Sequence, residues 1–191
     1  MFKIAVFLSG RGSNFDAIVS HIEENKLPIE ICLVLSDRKK AAGLAKAEEL
    51  GFKTAYLPRL AKEQSLASYN EKLALEAQKH SPDLVVLAGF MRVLTNEFIS
   101  KFENKVINIH PSLLPAYPGL DTHKRALEAG EKESGCTVHY VVEEVDAGPI
   151  LGQVAVPILE DDTEETLAAR ILKEEHKLYP KIVQDISEGK I

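Results

Sequence analysis

The sequence predicts a doubly wound α/β fold, a mostly parallel sheet with an antiparallel edge in its C-terminal half. Three observations carry this. Apolar, β-branched runs recur through the first half at residues 3–9, 29–36, 53–57 and 84–89. The stretches between them place apolar residues at helical spacing, so each strand is followed by a crossover and the next must run parallel. Later in the chain two strand-like runs, 136–142 and 150–156, follow each other with only a short connection, which suits antiparallel pairing.

Residues 3–9 are apolar at almost every position, as a strand covered on both faces requires. The run is too short for a secretory signal and ends in a glycine turn, so it reads as a first strand. After Ser13, the residues Phe15, Ile18, Val19 and Ile22 share one helical face. The same test beyond Ala61 groups Leu66, Tyr69, Leu73 and Ala77. In the second half, 106–109 reads as a short strand and 122–129 as a helix. Asp162 with Glu165 three positions on has a capping-box pattern, so a last helix is expected from about Thr163, interrupted or restarted at Pro180. No internal repeat and no Gly- or Ser-rich linker divides the chain, and residues 1–191 read as one domain.

The composition narrows the function classes. With 191 residues, 45% apolar and 27% charged, the chain has the balance of an ordinary globular domain with a sizeable core. A net charge of −6 counts against nucleic-acid binding by bulk attraction to phosphates and leaves small molecules as the expected partners. No run approaches the roughly 20 apolar residues of a membrane span. Cys32 and Cys136 have neither a disulfide framework nor metal-ligand spacing, and they read as buried thiols of a cytoplasmic protein. His21, His80, His123, His139 and His176 show no ligand spacing either, so no metal is expected. The chain is expected to be a monomer or a homodimer.

Four segments have the composition of a reactive site. Ser9-Gly10-Arg11-Gly12-Ser13-Asn14 follows the first strand and opens the first helix, where backbone N–H groups can face a phosphate. It is neither a Walker loop nor a dinucleotide fingerprint, and the competing reading is that Ser13 or Asn14 simply caps the helix. In Asn108-Ile109-His110, period 2 puts an amide and an imidazole on one side of a strand end. Such a pair can donate to an oxyanion in acyl transfer, whereas the bland reading is a histidine bonded to loop backbone. Pro111, Pro115 and Pro118 stiffen the loop that follows. The acidic loop Val142-Glu143-Glu144-Val145-Asp146-Ala147-Gly148-Pro149 offers a carboxylate to pair with His110 and receive a proton through water. Asp146 is the first choice, with Glu143 and Glu144 as alternatives. Finally, Gly89-Phe90-Met91-Arg92-Val93-Leu94 brings apolar groups and one cation to a strand end, a mixture that suits a flat heterocycle or ordinary core packing.

Four motifs in order, SGRGSN, VVLAGFMRVL, INIHPSLLPAYPGLDTH and VHYVVEEVDAGPIL, resemble the folate-dependent phosphoribosylglycinamide formyltransferase family. The resemblance covers essentially the whole chain. It implies a Rossmann-like formyltransferase fold and transfer of a formyl group from 10-formyltetrahydrofolate to the amine of glycinamide ribonucleotide (GAR) in purine synthesis, without a metal. It implies Asn108, His110 and Asp146 as catalytic residues. Gly12, Ser13 and Asn14 would hold the GAR phosphate, and Leu172, Lys173, Glu174 and Glu175 the rest of that substrate. The folate would lie on Met91, Arg92, Val93 and Leu94 and on Val142, Glu143, Glu144, Val145 and Asp146, with Asn108 beside it. Leu66 stands where many relatives carry an arginine for the folate tail, which leaves Lys62 or an exposed backbone group for that contact.

Other formyltransferases, acting on aminoacyl-tRNA or sugar nucleotides, share a similar Asn, His and Asp arrangement. The length and acidic charge of this chain count against the tRNA reading. A non-catalytic phospho-ligand module would leave the coincidence of Asn108, His110 and Asp146 unexplained.

Overall fold

The structure, a computed structural model, describes residues 1–59 and 65–191. In chain order its elements are β1 (Phe2–Leu8), α1 (Ser13–Glu24), β2 (Ile29–Ser36), α2 (Ala42–Glu49), β3 (Thr54–Tyr56), α3 (Leu66–Gln78), β4 (Leu84–Leu87), α4 (Asn96–Ile99), β5 (Val106–His110), α5 (Thr122–Glu128), β6 (Glu133–Tyr140), β7 (Ile150–Pro157) and α6 (Glu164–Ser187). The strands follow the order β3-β2-β1-β4-β5-β6-β7, the mixed, mostly parallel sheet that the strand and helix alternation predicts. The chain divides into two compact units, Met1–Ile107 and Asn108–Ile191.

In the first unit β1 pairs in parallel with β2 and with β4, and β2 with β3. Ile4 to Leu8 have no exposed surface, which explains why the run lacks the alternation of a half-exposed strand. Phe7 meets Phe90 and Phe98 edge-on at 5.4 and 5.7 Å, a favourable arrangement of ring quadrupoles. The α1 stripe buries Phe15, Ile18 and Val19, with Ile22 half-buried. Helix α3 starts at Leu66 because the Ser65 hydroxyl accepts the Ser68 N–H at 3.1 Å, and it buries Tyr69, Leu73 and Ala77 as expected. Lys62 lies outside the described residues.

The second unit holds the hairpin β6–β7, paired antiparallel from Glu133↔Pro157 to His139↔Ile150. Strand β6 begins earlier than the sequence suggests and stops at Tyr140, so Val142 belongs to the loop. The reason is visible at Gly148, where any Cβ would run into the Tyr140 carbonyl oxygen; the chain turns back against that carbonyl.

Helix α6 departs from expectation twice. Its cap is Thr163, not Asp162: Thr163 and Thr166 exchange side-chain and backbone bonds at 3.3 and 2.9 Å. Asp162 instead takes Arg170 at 2.5 and 2.8 Å. The helix also runs through Pro180 without interruption. Proline removes one donor there, but Ile171, Tyr179, Pro180, Ile182 and Val183 form a buried stripe on both sides of it, and tertiary packing outweighs the local penalty.

Both cysteines are free and buried. Burial pushes the Cys136 thiol up to about 12, with Glu175 and Glu174 adding to the effect, so it stays protonated. Among the described residues no helix is long and apolar enough to cross a membrane.

Candidate active site

His110 is the last residue of β5, and Asn108 two places earlier shares its side of the strand. The imidazole is 7% exposed and lies between two acceptors. Its Nε2 is 2.9 Å from the Tyr117 carbonyl oxygen, and its Nδ1 is 3.3 Å from Asp146 Oδ2. A neutral ring carries one proton and can satisfy only one of these; the imidazolium donates to both.

The proline loop brings Tyr117 into place. Thr137 Oγ1, wholly buried in β6, donates to Ser112 O at 2.7 Å and accepts the Leu114 N–H at 3.1 Å. Gln153 on β7 donates to Leu114 O at 2.9 Å, and Ser112 Oγ donates to Ala116 O at 2.6 Å. The Leu114–Pro115 bond is cis. The stiffness expected of this loop is thus supplied by hydrogen bonds from the hairpin as well as by its prolines.

Asp146 has a left-handed backbone, φ 55°, which aspartate tolerates better than most residues. Its side chain is 10% exposed, and Oδ2 also accepts the Gly119 N–H at 2.9 Å. Burial alone would raise its pKa. Hydrogen bonds from His139 and Gly119 and the charges of His110 and His139 outweigh burial, and the carboxyl is held below its ordinary 3.8. Glu143 and Glu144 are exposed, so of the three acids only Asp146 reaches His110.

Sequence reasoning missed His139. It is 2% exposed in β6, with Nδ1 2.8 Å from Tyr140 O, and its Nε2 lies 3.3 Å from Asn108 Nδ2 and 3.5 Å from Asp146 Oδ1. A neutral ring there accepts from the amide, and a charged ring donates to the carboxylate. The available signal was a histidine inside an apolar strand, since a buried polar group has to find partners. Nearby, His123 on α5 is held below the ordinary 6.5, chiefly by burial; Glu164 opposes the shift and His110 adds to it.

The remaining predicted residues lie as follows. Gly12 is the N-cap of α1, at φ 80°, and having no side chain it makes no side-chain cap bond; Ser13 and Asn14 lie in the first turn, where Asn14 is buried. A Cβ on Gly12 would come 2.8 Å from Gly43 Cα; the loop packs backbone against backbone. Met91 and Val93 are 57% and 50% exposed, Arg92 is half-buried and Leu94 is buried. Val142 and Val145 are exposed. On α6, Leu172 is half-buried, Lys173 is exposed, Glu174 bonds Lys177 at 2.8 Å and Glu175 is buried. Among the described residues no three His, Cys, Asp or Glu side chains are grouped as a metal would need.

Comparison with known proteins places this geometry in context. The formyl transferase family profile matches residues 2–183. The phosphoribosylglycinamide formyltransferase of Escherichia coli is 41% identical over 189 residues, covering 99% of this chain and 89% of that protein. The crystal structure of glycinamide ribonucleotide transformylase 1 from Symbiobacterium toebii superposes with a TM-score of 0.94 at 44% identity, covering 99% of this chain and 89% of that one. A similar segment occurs in the trifunctional purine biosynthetic protein adenosine-3 of Gallus gallus, 41% identical over 189 residues, where this chain corresponds to 19% of the whole. With the profile matching residues 2–183, and the Escherichia coli and Symbiobacterium toebii proteins alike over 89% of their own length, this chain belongs to the formyl transferase family.

Proposed function

We propose that the chain transfers the formyl group of 10-formyltetrahydrofolate to the amine of N1-(5-phospho-D-ribosyl)glycinamide, giving formyl-GAR and tetrahydrofolate in de novo purine (IMP) biosynthesis, in the cytoplasm and with residues 1–191 working as one domain. The observation that carries this is the His110 ring held between the Tyr117 carbonyl and the Asp146 carboxylate, with the Asn108 amide two residues earlier on the same side of β5. In direct transfer the amine attacks the formyl carbon, a tetrahedral intermediate forms, and the bond to folate N10 breaks. Negative charge collects on the former carbonyl oxygen. Asn108 Nδ2–H and the Nε2–H of His110, held meanwhile by Tyr117, are the donors that receive it. Asp146, paired with Nδ1 of His110, takes the amine proton through water, and that proton passes to N10 as its bond to the formyl carbon breaks.

For GAR, the first turn that opens at Gly12, with Ser13 and Asn14, suits a phosphate, whose charge is favoured at a helix N-terminus. Leu172, Lys173, Glu174 and Glu175 take the rest of that substrate, Lys173 as a cation for phosphate and Glu175 as an anion for the amine. The exposed apolar groups Met91 and Val93, and Val142 and Val145 on the hairpin loop, suit the flat pteridine. Arg92, Leu94, Glu143 and Glu144 complete that set mainly through backbone.

The test is direct: purified protein, 10-formyltetrahydrofolate and GAR are mixed and folate absorbance followed, and absence of turnover at any substrate level would sink the assignment. Within it, Gly12→Ala is expected to raise the KM for GAR by roughly tenfold or more, because strain at positive φ and collision with Gly43 both displace the loop. The donor KM should stay within about twofold, as expected for a change confined to one substrate's contacts. An equal rise in both constants would remove the phosphate from this loop.

A further inference from the structure

We propose that Asp37 is a positioning residue for the donor-binding segment, acting through Ser9 and Arg92; the role rests on the reading that Met91 to Leu94 receive the formyl donor. Asp37 follows β2 directly, in the run Ser36-Asp37-Arg38-Lys39-Lys40, where a solvated turn charge would be ordinary. The structure buries it instead, with no side-chain surface left exposed. Its two oxygens are used separately. Oδ1 accepts the Ser9 hydroxyl at 2.5 Å, and Oδ2 accepts Arg92 Nε–H at 2.6 Å. Ser9 has one hydroxyl proton, and it is committed to Asp37. Its oxygen therefore faces the Met91 backbone N–H as an acceptor, at 2.8 Å. The Ser9 N–H in turn bonds Gly89 O at 3.0 Å.

One carboxylate thus ties together the residues that follow β1, β2 and β4. An anion matters here because it accepts at both oxygens and donates nowhere, which fixes the direction of every bond in the chain. An amide in its place would turn an N–H toward Ser9 or Arg92. The far end of the segment has its own anchor: Asn70, with no exposed surface, donates to Val93 O at 3.2 Å and accepts the Thr95 N–H at 3.1 Å. Between these anchors the residues form neither helix nor strand, and Met91 and Val93 are left facing out. A backbone that has to meet a flat ligand without regular structure loses entropy on binding unless buried polar groups hold it beforehand.

The test measures each substrate's KM separately in Asp37→Ala, Asp37→Asn and Ser9→Ala, with backbone amide exchange followed at Met91. Asp37→Ala is expected to raise the KM for 10-formyltetrahydrofolate by roughly tenfold, the scale of a lost charged hydrogen bond, with kcat and the KM for GAR within about threefold. Asp37→Asn keeps one acceptor and should fall between Ala and wild type. Amide exchange at Met91 should quicken in Asp37→Ala and in Ser9→Ala. A donor KM unchanged in all three variants overturns the proposal, as does a fall in kcat with both KM values unchanged, which would report only lost folded protein. If Asp37→Ala does not fold, the other two variants decide. If the wild type itself fails to turn over, the functional reading falls, and amide exchange alone then decides whether Asp37 holds the segment; unchanged exchange overturns it.

Discussion

His110→Ala is expected to lower kcat for formyl transfer by about 10³-fold, within the roughly 10²–10⁴-fold range for a positioned charged donor or proton carrier. Dissociation constants for both substrates should move by less than about tenfold, since the ring acts on charge that develops only in the transition state. The fold should survive, because Asp146 keeps the Gly119 N–H and His139 as partners after the imidazole is gone. Single-turnover kinetics with calorimetric binding checks this. Near-normal turnover would remove His110 from the mechanism.

Asp146→Asn should cost a comparable factor, about 10²-fold or more. Asparagine tolerates a left-handed backbone at least as well as aspartate and can still accept from Gly119, so the loop should keep its course. What disappears is the anion. The Nδ1 of His110 then has no carboxylate to meet. The pH behaviour separates the two roles of this carboxylate. Its pKa lies below 3.8 in the folded chain, so its contribution to stability is present above that value and is lost as pH falls through the folded pKa. The stability gap between wild type and Asp146→Asn should therefore hold from neutral pH to about 4 and narrow below it. Acid unfolding followed by circular dichroism reads the gap; one that widened toward low pH would contradict the assigned shift.

The residues of the candidate site differ in how far the sequence alone could reveal their placement. Asn108 and His110 were legible because two residues on one strand share a side whatever the rest of the fold does. Asp146 was harder to choose among three acids, because nothing in Val-Glu-Glu-Val-Asp says which carboxylate a left-handed turn will send inward. His139 was not legible: its role depends on what lies beside β6, which strand periodicity does not encode. Asp37 was hidden by its basic neighbours, which made a buried anion look like one more solvated charge. In the fold, the parallel run of strands followed from their apolar character, whereas the passage of α6 through Pro180 depended on a packed stripe that outweighs one missing hydrogen bond.

The close turn at Gly148 sets a constraint on descent. Because a Cβ at position 148 would fall on the Tyr140 carbonyl oxygen, there is no tolerated intermediate between hydrogen and methyl: the smallest possible side chain already forces the hairpin open. Asp146 sits two residues away on the same turn, so a change that touches no substrate would alter the reach of the carboxylate. The chemistry of the site is therefore inherited together with a residue that takes no part in it, and the two can be lost in a single step.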